Sequence, residues 1–171
     1  SADTDVAWAL RNWTAWNWLS GGQFVEQIVH TIDGMVWSMN EQLPLAAFGS
    51  GGRAQRRDDG DVWDHYDVYF EYDHNVAAHI SCRQWVGCHG EIVDRTVCEK
   101  GMLVTPYRPH IQADKRWRFR GERGNMYADT HVAFYRFLRS GTWKQTLESA
   151  ANKTLVAIMG REAAHTGQRI T

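Results

Sequence analysis

Apolar residues recur at a helical spacing near both ends of this chain and with a period of two through its middle, an order that restricts the fold more than any single motif. From Gln23 to Met39, at about 100° per residue, Phe24, Val25, Ile28, Val29, Ile32, Met35 and Val36 fall on one broad arc. This predicts a helix that Pro44 cannot continue. In "HYDVYFEY" Tyr66, Val68, Phe70 and Tyr72 alternate with His65, Asp67, Tyr69 and Glu71, the pattern of a strand with two unlike faces. "DHN" reads as a turn into "VAAHISCRQW", so the pair is expected to form a hairpin. Further strands are expected in "LAAFGSGG", "EIVDRTVCEK" with a turn at Gly101, "GMLVTPY" and "KRWRFRG". "MYADTHVAFYRFLRSG" and "TLESAANKTLVAIMGREAAHTG" return to helix, with Gly141 and Gly167 as stop signals. Segregation of helices from strands predicts an α+β fold. The expectation is one open, mostly antiparallel mixed β-sheet of about five or six strands with helices packed on one face.

At 171 residues the chain is expected to form a single domain over 1–171. No apolar run approaches the roughly 20 residues that span a bilayer, and no signal segment is visible at the start. The net charge of -1 gives no general attraction to nucleic acid or anionic membrane, which favours a small-molecule partner. Cys82, Cys88 and Cys98 are odd in number and lack C-x-x-C spacing, so neither a disulfide framework nor a structural zinc site is expected. Nine tryptophans are unusual, and Trp8, Trp13, Trp16 and Trp18 lie close together. Such side chains suit a core and suit stacking on a sugar ring.

The predicted first helix carries a second stripe, Glu26, His30 and Asp33, at spacings of four and three. A carboxylate one turn from a histidine can orient it as a general base near neutral pH. The same stripe could be a solvated face with one weak ion pair. Trp37 on that face favours a partly enclosed cleft. The spacing matches neither H-E-x-x-H nor the E-x-x-H of carboxylate-bridged bundles, so no metal is assigned. Arg83, Trp85 and His89 sit near a strand end, where binding residues are often displayed.

"WLSGGQFVEQIVHTIDGMVW", "DHYDVYFEYDHNVAAHISCRQWVGC" and "TLVAIMGREAAHTGQRIT" follow in an order that resembles the C-terminal domain of the Gfo/Idh/MocA oxidoreductases, relatives of glucose-fructose oxidoreductase and inositol dehydrogenase. The resemblance covers nearly the whole chain. In that family a Gly-rich turn leads into a helix with an acidic residue and, four positions on, a histidine. Gly21 and Gly22 match the turn, Glu26 the acidic position (usually Asp), His30 the histidine and Asp33 the acidic residue after it.

The resemblance implies a substrate-binding and oligomerisation domain of a longer enzyme whose N-terminal Rossmann domain binds NAD or NADP. Neither a dinucleotide fingerprint nor the family's catalytic Glu-Lys-Pro lysine has a counterpart here, so the 171 residues alone are expected to be inactive. The implied reaction is oxidation of a carbinol of a sugar or cyclitol. His30 is the expected base, Glu26 its partner, and Trp13, Trp16, Asp33, Arg83 and Trp85 the expected substrate surroundings. A homodimer or tetramer through the uncovered sheet face is implied too, with strand aromatics such as Tyr66 and Phe70 at the contact. Lyase, hydratase or glycosidase chemistry by transient oxidation stays open, as does a non-catalytic oligomerisation or carbohydrate-binding module.

Overall fold

A computed structural model of the protein describes residues 4–105, 107–122, 124–142 and 146–171. The chain divides into two compact units, Ser1–Gly90 with Ala151–Thr171, and Glu91–Ala150.

The first unit opens with α1 (Asp5–Arg11), whose first turn is capped by Thr4 Oγ1 accepting from the amide of Ala7. Short helices α2 (Asn17–Ser20) and α3 (Gly22–Glu26) precede α4 (Val29–Ser38). Three antiparallel strands follow in the order β1 (Ala46–Gly52), β2 (His65–Glu71), β3 (Ala77–Arg83). Register runs from Ala46 opposite Glu71 to Gly52 opposite His65, and from His65 opposite Arg83 to Glu71 opposite Ala77. The last helix, α6 (Leu147–Thr166), lies mostly in this unit, and after it Ile170 bridges to Ala47 at the start of β1.

The period of two in β2 decides which residues form the core. Tyr66, Val68 and Phe70 are buried with Phe24, Ile32 and Val36 of the helices and Val156, Ala157, Ala163 and Ala164 of α6. Burying each large side chain here contributes about 1.5–3 kcal/mol, which outweighs any local propensity. Tyr66 and Phe70, expected at a subunit contact, are therefore core residues. The aromatics on the opposite face are Phe48 and Tyr69, half exposed, their tilted rings in contact at 4.9 Å across β1 and β2.

The second unit holds β4 (Asp94–Cys98), β5 (Gly101–Thr105), β6 (His110–Gln112) and β7 (Trp117–Arg118) in one antiparallel sheet of that order. It also holds α5 (Met126–Ser140), capped by the Asn125 side chain and ended by Gly141 at φ 66°. None of its described residues is fully buried.

The α+β class holds, but the described strands form a three-stranded and a four-stranded sheet, where one sheet of five or six strands was expected. The break falls after β3: Gln84 only prolongs the pairing with β2, its amide reaching the Asp64 carbonyl, and the Val86 amide is taken by the Gln55 side chain, so the ladder ends there.

Candidate functional site

The site begins at a turn between two helices. Gly21 and Gly22 both have φ near +80°, a region that side chains with a Cβ avoid. Ser20 Oγ accepts from the Gly22 amide at 2.9 Å, and Arg161 of α6 donates to the Gly21 carbonyl at 2.9 Å. The turn so held starts α3, which lasts five residues. It does not run on into α4 as the sequence predicts. The Gln23 carbonyl accepts the amides of both Gln27 and Ile28, and the His30 amide bonds only three residues back, to Gln27. Glu26 thus ends one helix and His30 is the second residue of the next.

Glu26 faces a cleft of about 310 Å³. Gln23 and Gln27 line it on the same side, Arg56 and Asp58 come from the loop after β1, and Gln84 follows β3. The Arg56 Nε donates to Asp58 at 2.6 Å, and Gln84 Nε2 donates to Gln27 Oε1 at 2.9 Å. Carboxylates, amides and a paired guanidinium suit a ligand rich in hydroxyl groups, each of which both donates and accepts.

Of the predicted site residues, Glu26 alone lines this cleft among the described residues. His30 is exposed, on the first turn of α4. Asp33 is exposed and pairs with Lys153 of α6 at 2.6 Å, with Glu41 on the same ammonium at 3.2 Å. The Asp33 hydrogen bond, which outweighs burial and is joined by Glu41, raises the Lys153 pKa. Trp37 is 65% exposed, so it encloses nothing. Trp13 is exposed, whereas Trp16 is half-buried edge-on to Trp8 at 6.0 Å. Arg83 is exposed, lies 5.7 Å from the Trp85 ring and donates to the His89 carbonyl at 3.1 Å. Trp85 turns its indole N–H inward to Asp64 at 3.0 Å.

Asp64, which no motif marks, is fully buried. Its carboxylate accepts from the amides of Ala54, Gln55 and Arg56 at 2.7 to 3.1 Å, from His65 Nδ1 at 2.8 Å and from Trp85 Nε1. Burial pushes the carboxyl pKa up. The bonds from His65, Trp85, Arg56 and Ala54 outweigh it and hold Asp64 well below the usual carboxylate range. Nearby, the Tyr66 hydroxyl and His165 Nε2 share a hydrogen bond of 3.0 Å, and burial chiefly raises the Tyr66 pKa.

No described turn offers a dinucleotide the strand–glycine–helix arrangement that receives a pyrophosphate, since Gly21 and Gly22 follow a helix. Among the described residues no cluster of three or more His, Cys, Asp or Glu side chains could hold a metal ion. No described helix is long and apolar enough to cross a membrane.

No protein-family profile and no curated protein matches the sequence. Solved structures do match the fold. A Thermotoga maritima protein classed as an oxidoreductase superposes with a TM-score of 0.73 at 21% identity, over 90% of this chain and 48% of its own. The aldose-aldose oxidoreductase of Caulobacter crescentus, complexed with glycerol, matches with a TM-score of 0.73 at 15% identity, over 93% of this chain and 50% of its own. The WlbA dehydrogenase of Bordetella pertussis, in complex with NADH and UDP-GlcNAcA, matches with a TM-score of 0.62 at 14% identity, over 98% and 50%. The protein therefore has a fold found in oxidoreductases and spans about half the length of each.

Proposed function

We propose that the chain is the substrate-binding half of an NAD(P)-dependent oxidoreductase of the Gfo/Idh/MocA type, acting on a carbinol of a sugar or cyclitol. The observation that carries this reading is the fold likeness over 93% of the chain to half of an aldose-aldose oxidoreductase. The hydroxyl-compatible cleft at Glu26 is consistent with it. A dinucleotide-binding domain outside these 171 residues would hold the nicotinamide, which would supply the hydride acceptor for the carbinol carbon.

The hydroxyl proton must leave as the carbon is oxidised, and His30 is the proposed base for it. Glu26 accepts a neighbouring hydroxyl of the substrate and fixes the ring in the cleft. His30 lies one helix start beyond Glu26 and is exposed, so in this reading the second domain supplies the wall that encloses it. Asp33 is proposed as a further substrate-binding residue, and in this structure it pairs with Lys153. Trp13, Trp16, Arg83 and Trp85 remain proposed substrate surroundings, although none of them lines the cleft.

Joining the chain to its dinucleotide-binding domain tests the reading. We expect NAD or NADP to bind the joined protein and not the 171 residues alone. In the joined protein, His30→Ala should lower kcat at least a hundredfold with nucleotide affinity unchanged within about threefold, since a general base contributes about 10²–10⁴ in rate. Undiminished turnover in His30→Ala, or tight nucleotide binding by the 171 residues, contradicts the reading.

A further inference from the structure

Resting on the reading of the cleft as the ligand site, we propose that Asp64 is its positioning residue: one buried side chain that fixes both irregular walls of the cleft, the Arg56–Asp58 wall and the Gln84 wall.

The helical wall needs no such device, because Gln23, Glu26 and Gln27 are held by α3 and its cap. The other two walls belong to no helix or strand. Both are tied to residue 64. The Asp64 carboxylate draws in three successive amides, Ala54, Gln55 and Arg56, which wraps the loop around it and sets where the Arg56 side chain starts. Its other oxygen accepts Trp85 Nε1, and its carbonyl accepts the Gln84 amide at 2.8 Å. The Asp64 amide in turn donates to the Gly52 carbonyl at 2.9 Å, anchoring the hub to the end of β1. A secondary brace joins the two walls directly, where the Val86 amide donates to Gln55 Oε1 at 3.0 Å.

The charge is part of the device. A buried carboxylate is costly unless its lone pairs are satisfied, and five N–H donors converge on this one. An asparagine keeps one acceptor oxygen for the loop amides, but its NH₂ then confronts the donors of His65 and Trp85. Histidine can change tautomer and accept; the indole cannot. Asp64→Asn should therefore keep the sheet and loosen the walls.

Backbone hydrogen exchange on the 171-residue chain, with calorimetric titration of myo-inositol and D-glucose, tests this. In Asp64→Asn, exchange at Ala54, Gln55 and Arg56 should accelerate at least tenfold, while Val68 in β2 and Ile80 in β3 stay within twofold. The dissociation constant of whichever of the two binds should rise at least fivefold. Trp85→Phe fills the ring's space without its donor and should accelerate Gln84 several-fold without moving Ala54. It serves if Asp64→Asn does not fold. Unchanged exchange in the 54–56 loop, or acceleration there in step with Val68 and Ile80, overturns the proposal, the latter because it marks general loss of stability. If the unaltered chain binds neither myo-inositol nor D-glucose, the reading of the cleft fails, and the exchange rates still decide whether Asp64 fixes the two walls.

Discussion

His165 sits where a proton is least welcome. Burial lowers its pKa, Arg161 adding to the effect and Glu162 and Asp61 opposing it, and its Nε2 shares a 3.0 Å hydrogen bond with the Tyr66 hydroxyl. Trp63 lies against the ring at a centroid distance of 4.0 Å. Because the folded pKa lies below the unfolded value of about 6.5, the unfolded chain takes the proton first. The stability contributed by neutral His165 is complete above that value and is lost as pH falls through it toward the folded pKa. His165→Gln keeps an acceptor for Tyr66 and removes the titration, so urea unfolding between about pH 7 and pH 5 should show a shallower loss of stability than in the unaltered protein. An identical slope would mean that His165 does not titrate with folding.

Asp64 has the same sign, with its window below about pH 4, where free carboxylates protonate. At this scale the sequence reveals little beyond Glu26. A carboxylate's role is set by what packs around it, and the partners of Asp64 lie up to 21 positions away, with nothing in the sequence to say that they converge.

Among the elements, long periodic ones are legible. The strands at β1, β2 and β3 and both late helices stand where alternation and the stop glycines Gly141 and Gly167 place them. Short ones are not. Two-residue β7 does fall in the expected "KRWRFRG", but the three residues of β6 cannot display a period, and α1 carries none that separates it from a tryptophan-rich loop. The break between α3 and α4 escapes for another reason: the apolar arc of Phe24, Ile32 and Val36 survives a local change of hydrogen bonding, so the pattern looks continuous.

Packing between elements can be tested at Gly160 in α6. A Cβ there would stand 2.6 Å from Phe24 and 2.8 Å from Phe70, both ring atoms in the core. Alanine gains about 1 kcal/mol of helix propensity over glycine, but overpacking a filled core costs about 1–3 kcal/mol. Gly160→Ala should therefore lower the urea midpoint with the slope m unchanged. A raised midpoint would show that the rings yield freely.

For the whole molecule, the three-stranded sheet leaves Phe48 and Tyr69 half exposed on its outer face, beside the His79–Asp67 pair at 2.7 Å. A second copy of the chain is the proposed cover for this face. Sedimentation should give a dimer or a tetramer at micromolar concentration, and Tyr69→Lys should shift it toward monomer. A monomer in the unaltered protein contradicts that assembly.

The cleft at Glu26 is proposed to receive a polyol while the nucleotide binds elsewhere. Amide chemical shifts of the 171-residue chain, followed during separate additions of myo-inositol, D-glucose and NAD⁺, distinguish the two. Saturable shifts at Gln23, Glu26, Arg56 and Gln84 are expected with at least one polyol, and none with NAD⁺. Shifts at those four residues with NAD⁺, or polyol shifts that leave all four unmoved, would contradict it.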